Sequence, residues 1–114
     1  MTPREKIATW PSDRANRVTT KATETLAGNR TLTVAEIEQY QAFSFDPAAA
    51  RDLTLPAEAA CAGVVLMISN KADAAEVITI KNDGGDTIVT PAQNEAAIVW
   101  CDGTGWYGLV GAQS

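Results

Sequence analysis

The last third of the chain alternates short apolar runs with tight turns, and this pattern constrains the fold more than any other feature. Three such runs are residues 77–80, 87–90 and 97–100. Residues 82–86 and 102–105 separate or follow them and are rich in glycine, aspartate and asparagine. Glycine tolerates positive φ, and Asp or Asn can bond its own backbone, so these segments favour chain reversals. The pattern predicts a small antiparallel β domain.

The segment before these strands carries further strand signals and one helix signal. Residues 31–34 favour a strand, but Thr33 and Glu36 also match a capping box that would begin a helix over residues 34–40. These two interpretations compete, and we expect a strand followed by a helical turn. Residues 41–45 and 51–56 alternate in polarity, and a second helical turn is expected over 56–60. The continuous apolar run 64–68 predicts a central strand covered on both faces.

Counting these segments gives the expected fold class. We predict an all-β domain of about seven to eight strands, with turns about every 8–12 residues. Such spacing is typical of an antiparallel β-sandwich, a jelly-roll-like fold or a small barrel. A chain of 114 residues is expected to form one folded body.

Charge divides the chain into two unequal parts. The net charge is −5, yet residues 1–30 carry six Lys or Arg against three acids. We therefore predict an extended N-terminal arm over residues 1–29 and an acidic β domain over 30–114. A basic arm on an acidic body suggests binding to an acidic surface. The candidate partner-contact residues of the arm are Trp10, Arg14, Arg17 and Lys21, although Trp10 could equally pack on its own domain.

Residues with catalytic or metal-binding chemistry are scarce. The chain has no histidine, which removes the commonest general base and metal ligand. Cys61 and Cys101 adjoin apolar runs and are expected to be small buried side chains, with a disulfide between them left open. The acids of the two turns match no calcium-binding loop. We expect no catalytic, cofactor-binding or metal site, and no enzyme.

Two groups of residues are candidates for contact with another molecule. Gly84, Gly85 and Asp86 form the tip of a predicted hairpin. Trp106 and Tyr107 are candidate aromatic contacts, and together with Trp100 they could form a platform for a sugar or nucleobase, or instead a cluster in the core and at a strand edge. The acidic body disfavours nucleic acid as a partner. No apolar run reaches the ~20 residues of a membrane span. The polar start of the chain predicts that there is no signal peptide and that the protein is made in a cytoplasm.

Several short motifs together resemble small β modules of tailed-bacteriophage virions. Such modules occur as head decoration (cement) proteins and within tail fibres. The resemblance covers residues 30–110 and is carried by short segments, namely residues 30–33, 52–56, 63–70, 77–80, 84–88 and 102–107. A chain of 114 residues suits a free-standing decoration protein better than a fibre, in which such a module is one segment of a longer chain.

The resemblance implies a function without catalysis. It implies a homotrimer that binds the major capsid protein on the outer capsid surface of the virion and stabilises the mature shell. The alternative is a tail-fibre or receptor-binding module that contacts cell-surface glycan through Trp106 and Tyr107 or through the Gly84–Gly85 turn. A small carbohydrate-active enzyme is a third hypothesis, which would need turnover dependent on one particular carboxylate.

Overall fold

The chain passes back and forth between two β-sheets. The computed structural model describes residues 17–114. The secondary structure in this range is β1 (Glu24–Leu26), β2 (Arg30–Thr31), α1 (Val34–Gln39), β3 (Ala42–Pro47), β4 (Arg51–Thr54), a 3-10 turn (Glu58–Ala60), β5 (Val65–Asn70), β6 (Ile78–Lys81), β7 (Thr87–Val89), β8 (Glu95–Cys101) and β9 (Trp106–Ala112).

Because the chain alternates between the two sheets, strands that are neighbours in a sheet are often not consecutive in the sequence. One sheet has five strands in the order β9-β8-β5-β3-β1, and the other has four in the order β2-β4-β6-β7. The neighbours β1, β3 and β5 run parallel, as do β2, β4 and β6. The pairs β6–β7, β5–β8 and β8–β9 are antiparallel. Parallel neighbours need a crossover connection, and here the crossover includes a strand of the other sheet.

The structure confirms a β-rich fold and corrects its details. Four of the seven strand pairs among residues 17–114 are parallel, so the antiparallel prediction is wrong for them. Nine strands lie in this range, more than the seven or eight expected. The short turn after β3 does not make a hairpin, because it carries the chain into the other sheet. A hairpin and such a crossing leave the same period-two pattern in the sequence.

The predicted helix is present and begins at the expected capping box. The Glu36 backbone N–H donates to Thr33 Oγ1 at 3.2 Å, and the Thr33 N–H donates to Glu36 Oε1 at 3.0 Å. These bonds satisfy two backbone donors that the start of a helix would otherwise leave free. The expected turn near residue 58 is the 3-10 turn. Among residues 17–114, no helix is long and apolar enough to cross a membrane.

The core is one cluster that receives side chains from both sheets. Phe43 and Phe45 stack with ring centroids 6.2 Å apart. Other fully buried members are Leu32, Leu53, Leu55, Leu66, Ile68, Ile78, Ile80 and Val99. Strand β5 is central in its sheet, as predicted, but only alternate residues are buried, and Val65 is 39% exposed. The prediction that both its faces are covered is therefore wrong.

Residues 24–29, which the sequence assigns to the arm, are held against the body. Strand β1 pairs with β3, and Leu26 is 2% exposed within the core. The Arg51 guanidinium donates to the Leu26 carbonyl at 3.0 Å and to the Ala27 carbonyl at 2.8 Å. Arg30 bonds Glu24 at 2.8 Å and Glu36 at 2.5 Å, which joins β1, β2 and α1. Residues 24–26 therefore belong to the five-stranded sheet and not to an extended arm, and Arg51 holds Ala27 beside them.

Candidate protein-interaction surface

Strand β8 is apolar on both of its sides, although only one side is buried. Ala97, Val99 and Cys101 face the core and are at most 3% exposed. Ile98 and Trp100 alternate with them and are 45% and 36% exposed. Successive side chains of a strand point to opposite faces of the sheet. Large apolar side chains of β8 therefore lie in water on the outside of the five-stranded sheet.

Strand register places matching residues of β5 and β9 beside those of β8. Three cross-strand rows result, which together we call the outer face: Val65–Trp100–Tyr107, Met67–Ile98–Leu109 and Ser69–Ala96–Gly111. None of these nine residues is charged. Among residues 17–114, every exposed large hydrophobic side chain lies on β5, β8 or β9, and Leu109 is the most exposed at 64%. The outer face is thus an uncharged and mainly apolar surface.

The first row holds an aromatic pair in a fixed orientation. The Trp100 and Tyr107 rings stack with centroids 6.0 Å apart and planes inclined by 29°. The Tyr107 hydroxyl donates to Asp102 Oδ2 at 3.0 Å. Asp102 Oδ1 also accepts the backbone N–H groups of Thr104 at 2.9 Å and Gly105 at 2.8 Å. These donors lower the pKa of Asp102 to about 2, and the carboxylate raises the pKa of Tyr107.

A shallow groove runs along the other two rows. It has a volume of about 500 Å³ and is lined by Met67, Ile98, Leu109 and their small neighbours on β8 and β9. Ala96 carries only a methyl group and Gly111 carries no side chain, so neither residue fills the groove. A surface of this composition binds by excluding water from apolar contacts.

Of the sequence-predicted contact residues that the structure describes, all but Tyr107 lie outside the outer face. Trp10 and Arg14 fall outside the described residues. Arg17 is exposed, and Lys21 forms an ion pair with Glu24 at 3.5 Å. The turn of Gly84, Gly85 and Asp86 joins β6 to β7 in the four-stranded sheet.

Of the two predicted aromatic contacts, only Tyr107 belongs to the outer face. Trp106 is 7% exposed, and its indole N–H donates to the Pro56 carbonyl at 2.9 Å. This burial conflicts with a contact role for Trp106. Trp100, which the sequence analysis grouped with these two residues in a possible aromatic platform, lies on the outer face, whereas Val65, Ile98 and Leu109 were not expected to make contacts. An available signal was that the run in β8 is apolar at both odd and even positions.

The acids and cysteines of the described part of the chain form no cluster of metal-ligand type. Among residues 17–114, no three Cys, Asp or Glu side chains group as metal ligands would. Cys61 and Cys101 are buried free thiols, and burial raises the pKa of Cys61. The Cys101 thiol lies 3.5 Å from the Glu58 carbonyl as a weak donor.

Comparisons with known protein families, curated proteins and solved structures find no match to this chain.

Proposed function

We propose that this chain is a non-enzymatic structural protein of a tailed-bacteriophage virion. In this proposal it is a capsid decoration protein that binds the outer capsid surface as a homotrimer and stabilises the mature shell. The outer face is the observation that carries the proposal, since the largest apolar patch on a protein surface, typically several hundred Å², is often a site of interaction. The resemblance of residues 30–110 to virion β modules supports a location of the protein in the virion.

The size of the patch supports a protein partner. Six large side chains, five of them on the outer face, are each 36–64% exposed. At about 200 Å² per large side chain, they leave on the order of 500 Å² of apolar surface in water. Burying it would contribute roughly 12 kcal/mol at about 25 cal/mol/Å². Association costs of about 4–15 kcal/mol offset much of this, and apolar surface buried on the partner adds to the gain.

Trimer formation would convert weak contacts into firm attachment. After one subunit has bound the shell, its linked neighbours face their own sites at high effective concentration. A ligand that binds only the expanded shell stabilises that state by mass action. The proposal treats the body as a sandwich-like module, in which the four-stranded sheet covers the core side of the five-stranded sheet and leaves the outer face free.

Co-sedimentation with empty phage heads tests this function. Purified protein is mixed with expanded shells that lack it and, in parallel, with unexpanded shells. We expect saturable binding to expanded shells and an increased temperature of shell disruption. Equal binding to both shell states, or none to either, would contradict the proposal.

One observation favours the tail-fibre alternative as a second candidate. The exposed, oriented pair of Trp100 and Tyr107 could stack against a sugar ring of a cell-surface glycan. Glycan binding that is lost in Tyr107→Ala would support this alternative. Gln93→Ala is a control away from the aromatic pair. Trp106 is unsuitable as a probe, because its replacement would disturb the core.

A further inference from the structure

Strand β9 forms one edge of the five-stranded sheet, and β7 of the other sheet packs against it at Gly108. Strand β9 is seven residues long and contains neither proline nor a charged residue. Within residues 17–114, it pairs with β8 on one side and with no strand on the other. Proteins usually protect such edges with short strands, charges, proline or bulges, because free backbone groups there pair with other chains.

The other three sheet edges carry these protections. Strand β1 has three residues and includes Glu24, and β2 has two residues and includes Arg30. Strand β7 has three residues, and its pairing with β6 shifts register at Ile80 and Lys81. Among the described residues, β9 alone combines length, neutrality and a free side. This difference indicates that another chain covers the β9 edge when the protein is assembled.

Side chains on both sides of β9 are apolar and exposed. Leu109 belongs to the outer face and is 64% exposed. Val110 points to the opposite side of the strand and is still 40% exposed. Consecutive exposed apolar residues mean that the water-exposed apolar surface continues around the free edge. A partner that approaches this edge would cover both side chains and also the backbone.

We propose that β9 and the adjoining outer face are covered by a second copy of this chain. This inference deepens the proposed function and rests on it, because it assigns one of the two proposed partners to this surface. The capsid protein would then contact a different surface of the subunit.

Charge and area favour a second copy as the occupant. Each chain has a net charge of −5, so two copies repel across most of their surfaces. The nine uncharged residues of the outer face let them approach without setting like charges opposite each other. Burial of roughly 500 Å² on one copy against an equal area of its neighbour in the trimer gives on the order of 1,000 Å², about the lower limit for a specific interface.

Native mass spectrometry of the purified full chain tests the inference. The wild type should appear as an oligomer of 12.0 kDa subunits. Leu109→Asp should lose that oligomer and appear at the mass of one chain. Thr87→Asp is the matched control, because Thr87 is exposed on the edge strand β7 of the other sheet and its variant should remain oligomeric. Circular dichroism should show that both variants are folded.

Hydrogen exchange of the unmodified protein gives a second measurement. Amides of β9 should become less protected on dilution, while those of the central strand β5 should not change. Protection of β9 that is independent of concentration would overturn the inference, as would a monomeric wild type or an oligomer unaffected by Leu109→Asp. An oligomer that behaves as expected but does not bind shells would support the inference and contradict the proposed function.

Discussion

Replacement of Asn70 by aspartate should destabilise the protein strongly without changing the volume of the side chain. Asn70 is fully buried. Its amide donates to the Glu76 carbonyl at 2.9 Å and to the Pro91 carbonyl at 3.1 Å, while Oδ1 accepts the Ala72 N–H at 2.9 Å. This one side chain therefore holds the segment after β5 to the turn before β8.

The magnitude follows from the two donated bonds. In Asn70→Asp an oxygen replaces the donor nitrogen and faces two carbonyl oxygens, and each unsatisfied buried group costs about 1–3 kcal/mol. We expect a loss of about 2–6 kcal/mol, a large part of the ~5–15 kcal/mol that stabilises a typical domain.

The loss should also depend on pH. The buried carboxyl favours its neutral form, so its pKa is higher in the folded than in the unfolded state. Stability should then fall as pH rises above the unfolded-state pKa of about 3.9, and the variant should be nearest to wild type in acid.

Urea unfolding followed by circular dichroism, repeated across pH, measures both effects. Asn29→Asp is the control, because exposed Asn29 uses only its oxygen, to accept the Asp52 N–H at 2.9 Å, and aspartate keeps that acceptor. If Asn70→Asp unfolded within about 0.5 kcal/mol of wild type at neutral pH, the role given to these hydrogen bonds would be refuted.

Three further predictions concern the core and the sheet edge. Trp106→Phe should lower the free energy of unfolding by about 2–4 kcal/mol, since it removes buried volume and a buried indole hydrogen bond; chemical denaturation checks this. Arg30 lowers the pKa of Glu36 from its ordinary value of 4.5 to about 2. The stability that this pair contributes is therefore present above pH 4.5 and is lost as pH falls toward 2, and Glu36→Gln should flatten that part of the pH–stability curve. Deletion of residues 1–29 should destabilise the body, because it removes Leu26 from the core and β1 from the sheet; an unchanged melting temperature would show that this segment is dispensable for folding.

Local features of the fold were predictable from sequence because they depend on neighbouring residues. The capping box at Thr33 gave the helix, and the Asp102 turn gave the reversal before β9. Sheet pairing was not predictable in the same way. Parallel and antiparallel neighbours leave the same alternation of polar and apolar residues in a strand. In addition, paired strands need not be consecutive in the sequence: β1 and β3 are separated along the chain by β2, which belongs to the other sheet.

The outer face was missed for a related reason. In β8 the apolar residues occupy both sides of the strand, which normally indicates a strand buried on both faces. Only the structure shows that Ile98 and Trp100 have no covering layer among residues 17–114. Sequence reasoning named Trp106 and Tyr107 together as candidate contacts, but Tyr107 is exposed and Trp106 is buried, because neighbouring residues of a strand face opposite sides.

Gold labelling of purified virions with antibody to this protein, viewed by electron microscopy, tests the central claim most directly. The proposed function predicts label spread over the head, with a density that reflects many copies on the shell. Label confined to the tail would contradict the decoration role and favour the fibre alternative. Absence of label from every particle would contradict a virion location altogether.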